Sequence, residues 1–150
     1  MKITRKRIIV SIIFIILAVA AGFGIWHFKF KNNANHLADR AMRSIRDLSS
    51  ECRKMHMIRS KLAVAEYSFQ NNERIQGFIS VCIAASIYHN DNATINMIVE
   101  GGGPAYRRFI VTQSAKCREF IVRHGDSGTD IIMQLSEELF HFIFSNSHRC

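Results

Sequence analysis

The stretch 78–88, FISVCIAASIY, is apolar or small at nearly every position, and its reading sets the fold of everything around it. A run of this length suits a strand covered on both faces, and a short buried helix is the alternative. The neighbours favour the strand. Residues 62–69 place Ala63, Ala65, Tyr67 and Phe69 on one face, and the polar cluster Gln70-Asn71-Asn72-Glu73-Arg74 makes a turn before the apolar run. On the other side His89-Asn90-Asp91-Asn92 is a second turn, and residues 93–100 follow with Ile95, Met97 and Val99 alternating.

Gly101-Gly102-Gly103-Pro104 then breaks the chain. Residues 106–112 and 117–123 read as two further strands around Gln113-Ser114-Ala115-Lys116. Gly125-Asp126-Ser127-Gly128 reads as a loop, Thr129 or Asp130 as the cap of a short helix through Leu139, and residues 140–144 as a closing strand. Strands joined by short loops predict an antiparallel sheet carrying one or two helices, so the fold class expected is α+β.

Towards the N-terminus the period changes. Ala38, Ala41, Ile45, Leu48, Cys52 and Met55 step by three or four, while Arg40, Arg43, Arg46 and Arg53 lie mostly off that seam. This spacing predicts an amphipathic helix over 37–59, with Ala41, Ile45 and Leu48 as its packing seam, used either within the domain or in a dimerising stalk.

Before it, residues 8–26 (IIVSIIFIILAVAAGFGIW) carry no charge. About 20 apolar residues cross a bilayer as a helix, so the segment predicts one transmembrane span. Ala18-Val19-Ala20-Ala21-Gly22 offers a cleavage site for a secretory signal, but the run continues through Trp26, and Trp26, Phe28 and Lys29 then form an interfacial collar. A retained anchor is the favoured reading. Arg5, Lys6 and Arg7 before the span favour a cytoplasmic N-terminus and place the rest of the chain outside the cytoplasm. Four regions follow: a basic tail (1–7), the span (8–26), a linker with the amphipathic helix (27–61), and a β-rich extracytoplasmic domain (62–150).

The formal charge of +8 would fit nucleic acid, but its distribution argues otherwise. Residues 1–61 hold thirteen Lys and Arg against three Asp and Glu, while 62–150 hold seven against nine. The basicity lies beside the membrane, where anionic headgroups account for it. No nucleic-acid partner is expected.

Cys52, Cys82, Cys117 and Cys150 all follow the span, an even set that can close two disulfides in any of three pairings. A buried free thiol is the alternative for Cys82. No CxxC occurs, so neither zinc nor thioredoxin-like chemistry is supported. The GDSG at 125–128 resembles the nucleophile loop of trypsin-like proteases, but Thr129 departs from that pattern and no partner histidine motif exists. Cys117 and His124 would face opposite sides of a strand, and Cys52 with His56 lacks a third metal ligand. Gly101-Gly102-Gly103 lacks the lysine of a phosphate loop, and Asn92-Ala93-Thr94 is a glycosylation sequon that matters only in a eukaryotic host. No catalytic residue, metal or cofactor is expected, and the chain does not read as an enzyme.

The layout, with Gly77-Phe78-Ile79-Ser80-Val81, Ala93-Thr94-Ile95-Asn96-Met97-Ile98-Val99 and Tyr106-Arg107-Arg108-Phe109-Ile110-Val111, resembles the FidL-like inner-membrane proteins of enteric bacteria. These are similar in layout to ToxS-type companions of ToxR-like, membrane-spanning transcription regulators. The resemblance implies a single-pass inner-membrane accessory protein that pairs its periplasmic domain with a membrane-bound regulator, by strand addition or by completing a ligand-binding barrel. Two other classes stand beside it: an envelope-assembly protein that oligomerises through the 37–59 helix, and an envelope hydrolase or thiol enzyme that would depend on Ser127 or Cys117.

Overall fold

A computed structural model describes residues 5–148 and 150, and these contain five helices and no strand. They are α1 (Arg5–Arg46), α2 (Ser50–Gln70), α3 (Arg74–His89), α4 (Asn92–Glu100) and α5 (Gly102–Asn146). The α+β expectation is therefore corrected: the domain read as β-rich over 62–150 is helical throughout.

Each misread strand has a helical seam. In α2 the buried residues are Met55, Met57, Ile58, Leu62, Ala65 and Ser68, mostly three or four apart, while Ala63 and Tyr67 from the supposed strand face are exposed. In α4 the buried set is Ile95, Ile98 and Val99, and Met97 points outward at 65 % exposure. Alternation over eight residues is weak evidence when Ala, Met and Glu supply it, since all three are good helix formers. The central run 78–88 is the buried-helix alternative: α3 buries Gly77, Ile79, Ser80, Val81, Ile83, Ala84, Ala85 and Ile87, so it is covered almost all round.

The polar clusters were read correctly as chain reversals. Asn71 and Asn72 close α2, with Asn72 in the left-handed region at φ 60°. Asp91 caps α4, its carboxylate accepting the Thr94 N–H at 2.5 Å. The predicted 37–59 helix is instead interrupted at residues 47–49, where Ser49 caps α2 by accepting the Cys52 N–H at 3.4 Å.

The chain divides into two compact units, one through Leu37 and one from Ala38 to Cys150. The first holds the apolar part of α1, Val10–Lys29, long and apolar enough to cross a membrane. None of it is covered by protein: Phe14 is 75 % exposed.

In the second unit α5 cannot be straight. Ile79 of α3 lines one depression with Arg118, and Tyr88 of α3 meets Phe142 edge to face with ring centroids 4.8 Å apart. Nine residues of α3 span about 14 Å, whereas 24 residues of straight helix would span about 36 Å. The chain reverses at Gly125, whose φ of 54° and ψ of −132° break the helix into arms 102–124 and 126–146. That backbone is open to glycine alone. The second arm runs antiparallel to α2, with Cys150 joined to Cys52 and residues 140–147 beside residues 59–66. The unit is thus an up-down-up-down bundle of α2, α3 and the two arms of α5, with α4 as the crossover.

Gly101-Gly102-Gly103-Pro104 starts α5. The Gly103 N–H donates to Asp39 Oδ1 at 2.6 Å, and a Cβ at Gly103 would stand 2.5 Å from that oxygen. Glycine is needed there for this close approach, by which a carboxylate of α1 caps the otherwise uncapped start of α5. Pro104 sits in the first turn, where its missing N–H is not required.

Candidate functional site

The structure brings the predicted residues together in three places. The first is the anchor. Trp26 and Phe28 are 61 % and 69 % exposed, Lys29 is exposed beside them, and Phe23 lies 6.0 Å from Trp26 between ring centroids. Arg5, Lys6 and Arg7 open α1, and their side chains lie outside the described residues. An uncovered apolar cylinder with an aromatic and basic end is stable in lipid and costly in water.

The second is the cysteine set, whose pairing the sequence left open. Cys52 and Cys150 form a disulfide, their Cα atoms 5.5 Å apart across 98 positions of sequence, so the last residue is tied to the first turn of α2. This removes Cys52 from any metal site with His56. Cys82 and Cys117 are free thiols, Cys117 buried and Cys82 half-buried. The influence of the Cys117 thiol, then burial, pushes the Cys82 thiol up, while that of Cys82 holds Cys117 below the usual thiol range. In a helix, residues seven apart share a side, which reverses the strand argument against Cys117 and His124. Cys117 is nevertheless buried, and His124 rests on Phe120 with centroids 4.5 Å apart.

The third is a groove between α2 and the second arm of α5. Arg59, Leu62, Ala63, Glu66, Phe140, Ile143, Phe144 and Ser147 line a depression of about 500 Å³. Phe140 and Phe144 are 50 % and 78 % exposed, one helical turn apart. Reading 140–144 as a strand also put Phe140 and Phe144 on one face, but together with Phe142, which the helix turns inward onto Tyr88.

The expected seam is placed differently. Ala41 is exposed, Ile45 is half-buried against the bundle core, and Leu48 falls in the connection after α1; Met42, one position from the seam, is buried at 3 %. Arg53, read with the arginines mostly off the apolar seam, is half-buried. Its Nη1 donates to Asn96 Oδ1 at 2.8 Å and its Nη2 to the Arg46 carbonyl, so one guanidinium joins α1, α2 and α4. No periodicity could have found this contact, which depends on where α4 crosses. In the GDSG loop, Gly125 is the hinge, Ser127 is exposed and Gly128 is buried against Phe120 and His124.

Lys61 and Tyr106 make one more polar contact, the Lys61 Nζ standing 5.5 Å from the ring centroid. Burial lowers the Lys61 ammonium from its ordinary value and pushes the Tyr106 hydroxyl up to about 12.

No protein family, no characterised protein and no solved structure matches the chain.

Proposed function

We propose that this chain is a single-pass inner-membrane protein whose helical bundle lies outside the cytoplasm and works by protein contact, as an accessory subunit of a membrane-bound partner. The observation that carries this reading is the Cys52–Cys150 disulfide in a unit attached to an uncovered apolar helix. Disulfides persist in oxidising compartments, and the basic flank of the span independently favours an N-terminus on the cytoplasmic side. Two unrelated pieces of chemistry thus agree on the same topology.

The contact surface best suited to the role is the α2/α5 groove, because Phe140 and Phe144 leave large aromatic area in water beside a charged rim of Arg59 and Glu66. Helix-in-groove docking takes the place of strand addition, since the described residues offer no strand edge. The layout leaves a membrane-spanning transcription regulator as a candidate partner, although the three segments that carried the resemblance to FidL-like proteins are helical. Oligomerisation through Ala41, Ile45 and Leu48 has less support, because Ile45 packs on its own core.

Crosslinking in intact cells followed by purification of the full-length protein tests the reading. A specific membrane protein should be recovered with the native chain and lost with Phe140→Asp/Phe144→Asp. Recovery of general envelope proteins alone, or equal recovery with the variant, overturns it.

A further inference from the structure

The first arm of α5 carries different chemistry on its two sides. Tyr106, Phe109, Cys117 and Phe120 lie on the inner side, packed into the bundle core. At about 100° per residue, Val111, Ala115 and Val122 fall within about 40° of one another on the opposite side. All three are exposed, Val122 at 85 %. Steps of four and seven residues keep such a row facing one neighbour, as the seam of a two-helix pair does.

Basic side chains edge this row. Arg107 and Arg118 run along one side of it, and Arg108, Lys116 and Arg123 along the other, all of them exposed. Residues 104–124 hold five Lys and Arg against one acid, Glu119, while the remainder of 62–150 holds two against eight. Glu119 is paired with Arg123 across 2.6 Å, which leaves a surplus of basic charge along the row. The positive charge of the domain is thus gathered onto one outward helix face.

This pattern separates the occupants such a face could take. A second copy would set a basic edge against a basic edge in either direction, and like charges brought together repel. A lipid surface is gripped by a broad apolar face rich in Trp, Phe and Leu, whereas this row is narrow and built of Val and Ala. A narrow apolar row with charged edges is the form in which helices pair, small residues admitting close approach and the edges selecting the partner by charge.

We propose that the outer face of the first arm docks an acidic amphipathic helix of another protein, its apolar seam on Val111, Ala115 and Val122 and its flanking carboxylates on Arg108, Lys116 and Arg118. Exposed ion pairs contribute little each, so the apolar row holds the partner and the charge decides which helix is accepted. The inner side, fixed on the core, presents the face with little further ordering. The face shares no residue with the α2/α5 groove, so the inference does not rest on that surface.

The full-length protein carrying the photoreactive residue p-benzoylphenylalanine in place of Val111 tests the proposal in intact cells, with the same probe in place of Phe144 reporting on the groove. Sequencing of the peptide crosslinked at position 111 should return a segment of another protein with apolar residues three and four apart and Asp or Glu on both flanks. Adding Arg108→Glu/Arg118→Glu should lower that product by about tenfold or more, whereas Arg108→Lys/Arg118→Lys should retain it. Circular dichroism of the Glu variant should match the native protein, which assigns the loss to charge. The proposal is overturned by the absence of a protein adduct at position 111, by an adduct to lipid or to a second copy, by a segment without acidic flanks, or by equal product from the Glu variant. A partner trapped at position 144 but not at 111 overturns this proposal and leaves the groove standing; a partner at 111 alone does the reverse.

Discussion

Residues 10–26 and 78–88 are both almost wholly apolar and both helical, yet Phe14 in the first is 75 % exposed and Ile87 in the second 0 %. The difference lies in what the chain supplies around each. Sixteen-residue α3 spans about 24 Å, too short for the hydrocarbon core, and is followed and preceded by amphipathic helices whose seams cover it. The segment in α1 meets the length of a bilayer and receives no protein cover. Apolar composition determines that a helix leaves water. Length and neighbours determine whether lipid or protein receives it.

One substitution made in both places separates these environments most sharply. Ile87→Asp buries a carboxylate with no partner and should abolish the cooperative unfolding transition seen by circular dichroism. Leu17→Asp should cost about 2.5–3.5 kcal/mol of insertion while leaving the bundle folded, so the protein moves out of the membrane fraction. The contrast fails if Leu17→Asp unfolds the bundle or Ile87→Asp leaves it intact.

Next in size is the covalent closure that only the covered unit has. Cys52→Ser opens a ring closed across a sequence separation of 98, and the loop-entropy account puts the loss at about 4.7 kcal/mol. Urea titration of the variant and the native protein measures it, and a shift below 1 kcal/mol would show that the ends of the bundle are held by packing instead.

Glycines compare the two regions at finer scale. Gly125→Ala forces a side chain into φ 54° and should destabilise by about 1–3 kcal/mol. Gly22→Ala, in the uncovered helix with nothing within 4 Å of its would-be Cβ, should leave the urea midpoint unchanged. Equal effects would place no hinge at Gly125.

The smallest effect is a pH dependence confined to the covered unit. Tyr106 is held neutral by burial, its folded value near 12 against an ordinary value of 10. The folded state therefore keeps its proton where the unfolded chain has lost it, so stability present below pH 10 falls as the pH rises towards about 12. Lys61, lowered by burial, acts in the opposite sense below its ordinary value. Tyr106→Phe should remove the alkaline decline, followed as thermal midpoint against pH, and an unchanged profile would assign the decline elsewhere.

Much of the organisation was legible in the chain. A segment long and apolar enough to cross a membrane, the turns at 70–74 and 89–92, and the break at 101–104 were read from composition, because each depends on local properties of a few residues. The strands at 62–69, 93–100 and 106–123 were not. Short windows of Ala, Met, Ile and Tyr satisfy a period of two and a period of three to four almost equally, and the choice is made by what lies beyond the window.

The sequence by itself determined that the uncharged 8–26 segment is long and apolar enough to cross a membrane, that its flank is basic, and that four cysteines follow it. Those properties belong to a single stretch or a count. Only the tertiary structure decided that the run 78–88 is a central helix, that α5 doubles back at Gly125, that Cys150 reaches Cys52, and that Tyr88 meets Phe142. Each of these joins residues distant in the chain. Such pairings arise from packing whole helical faces together, which no local pattern records.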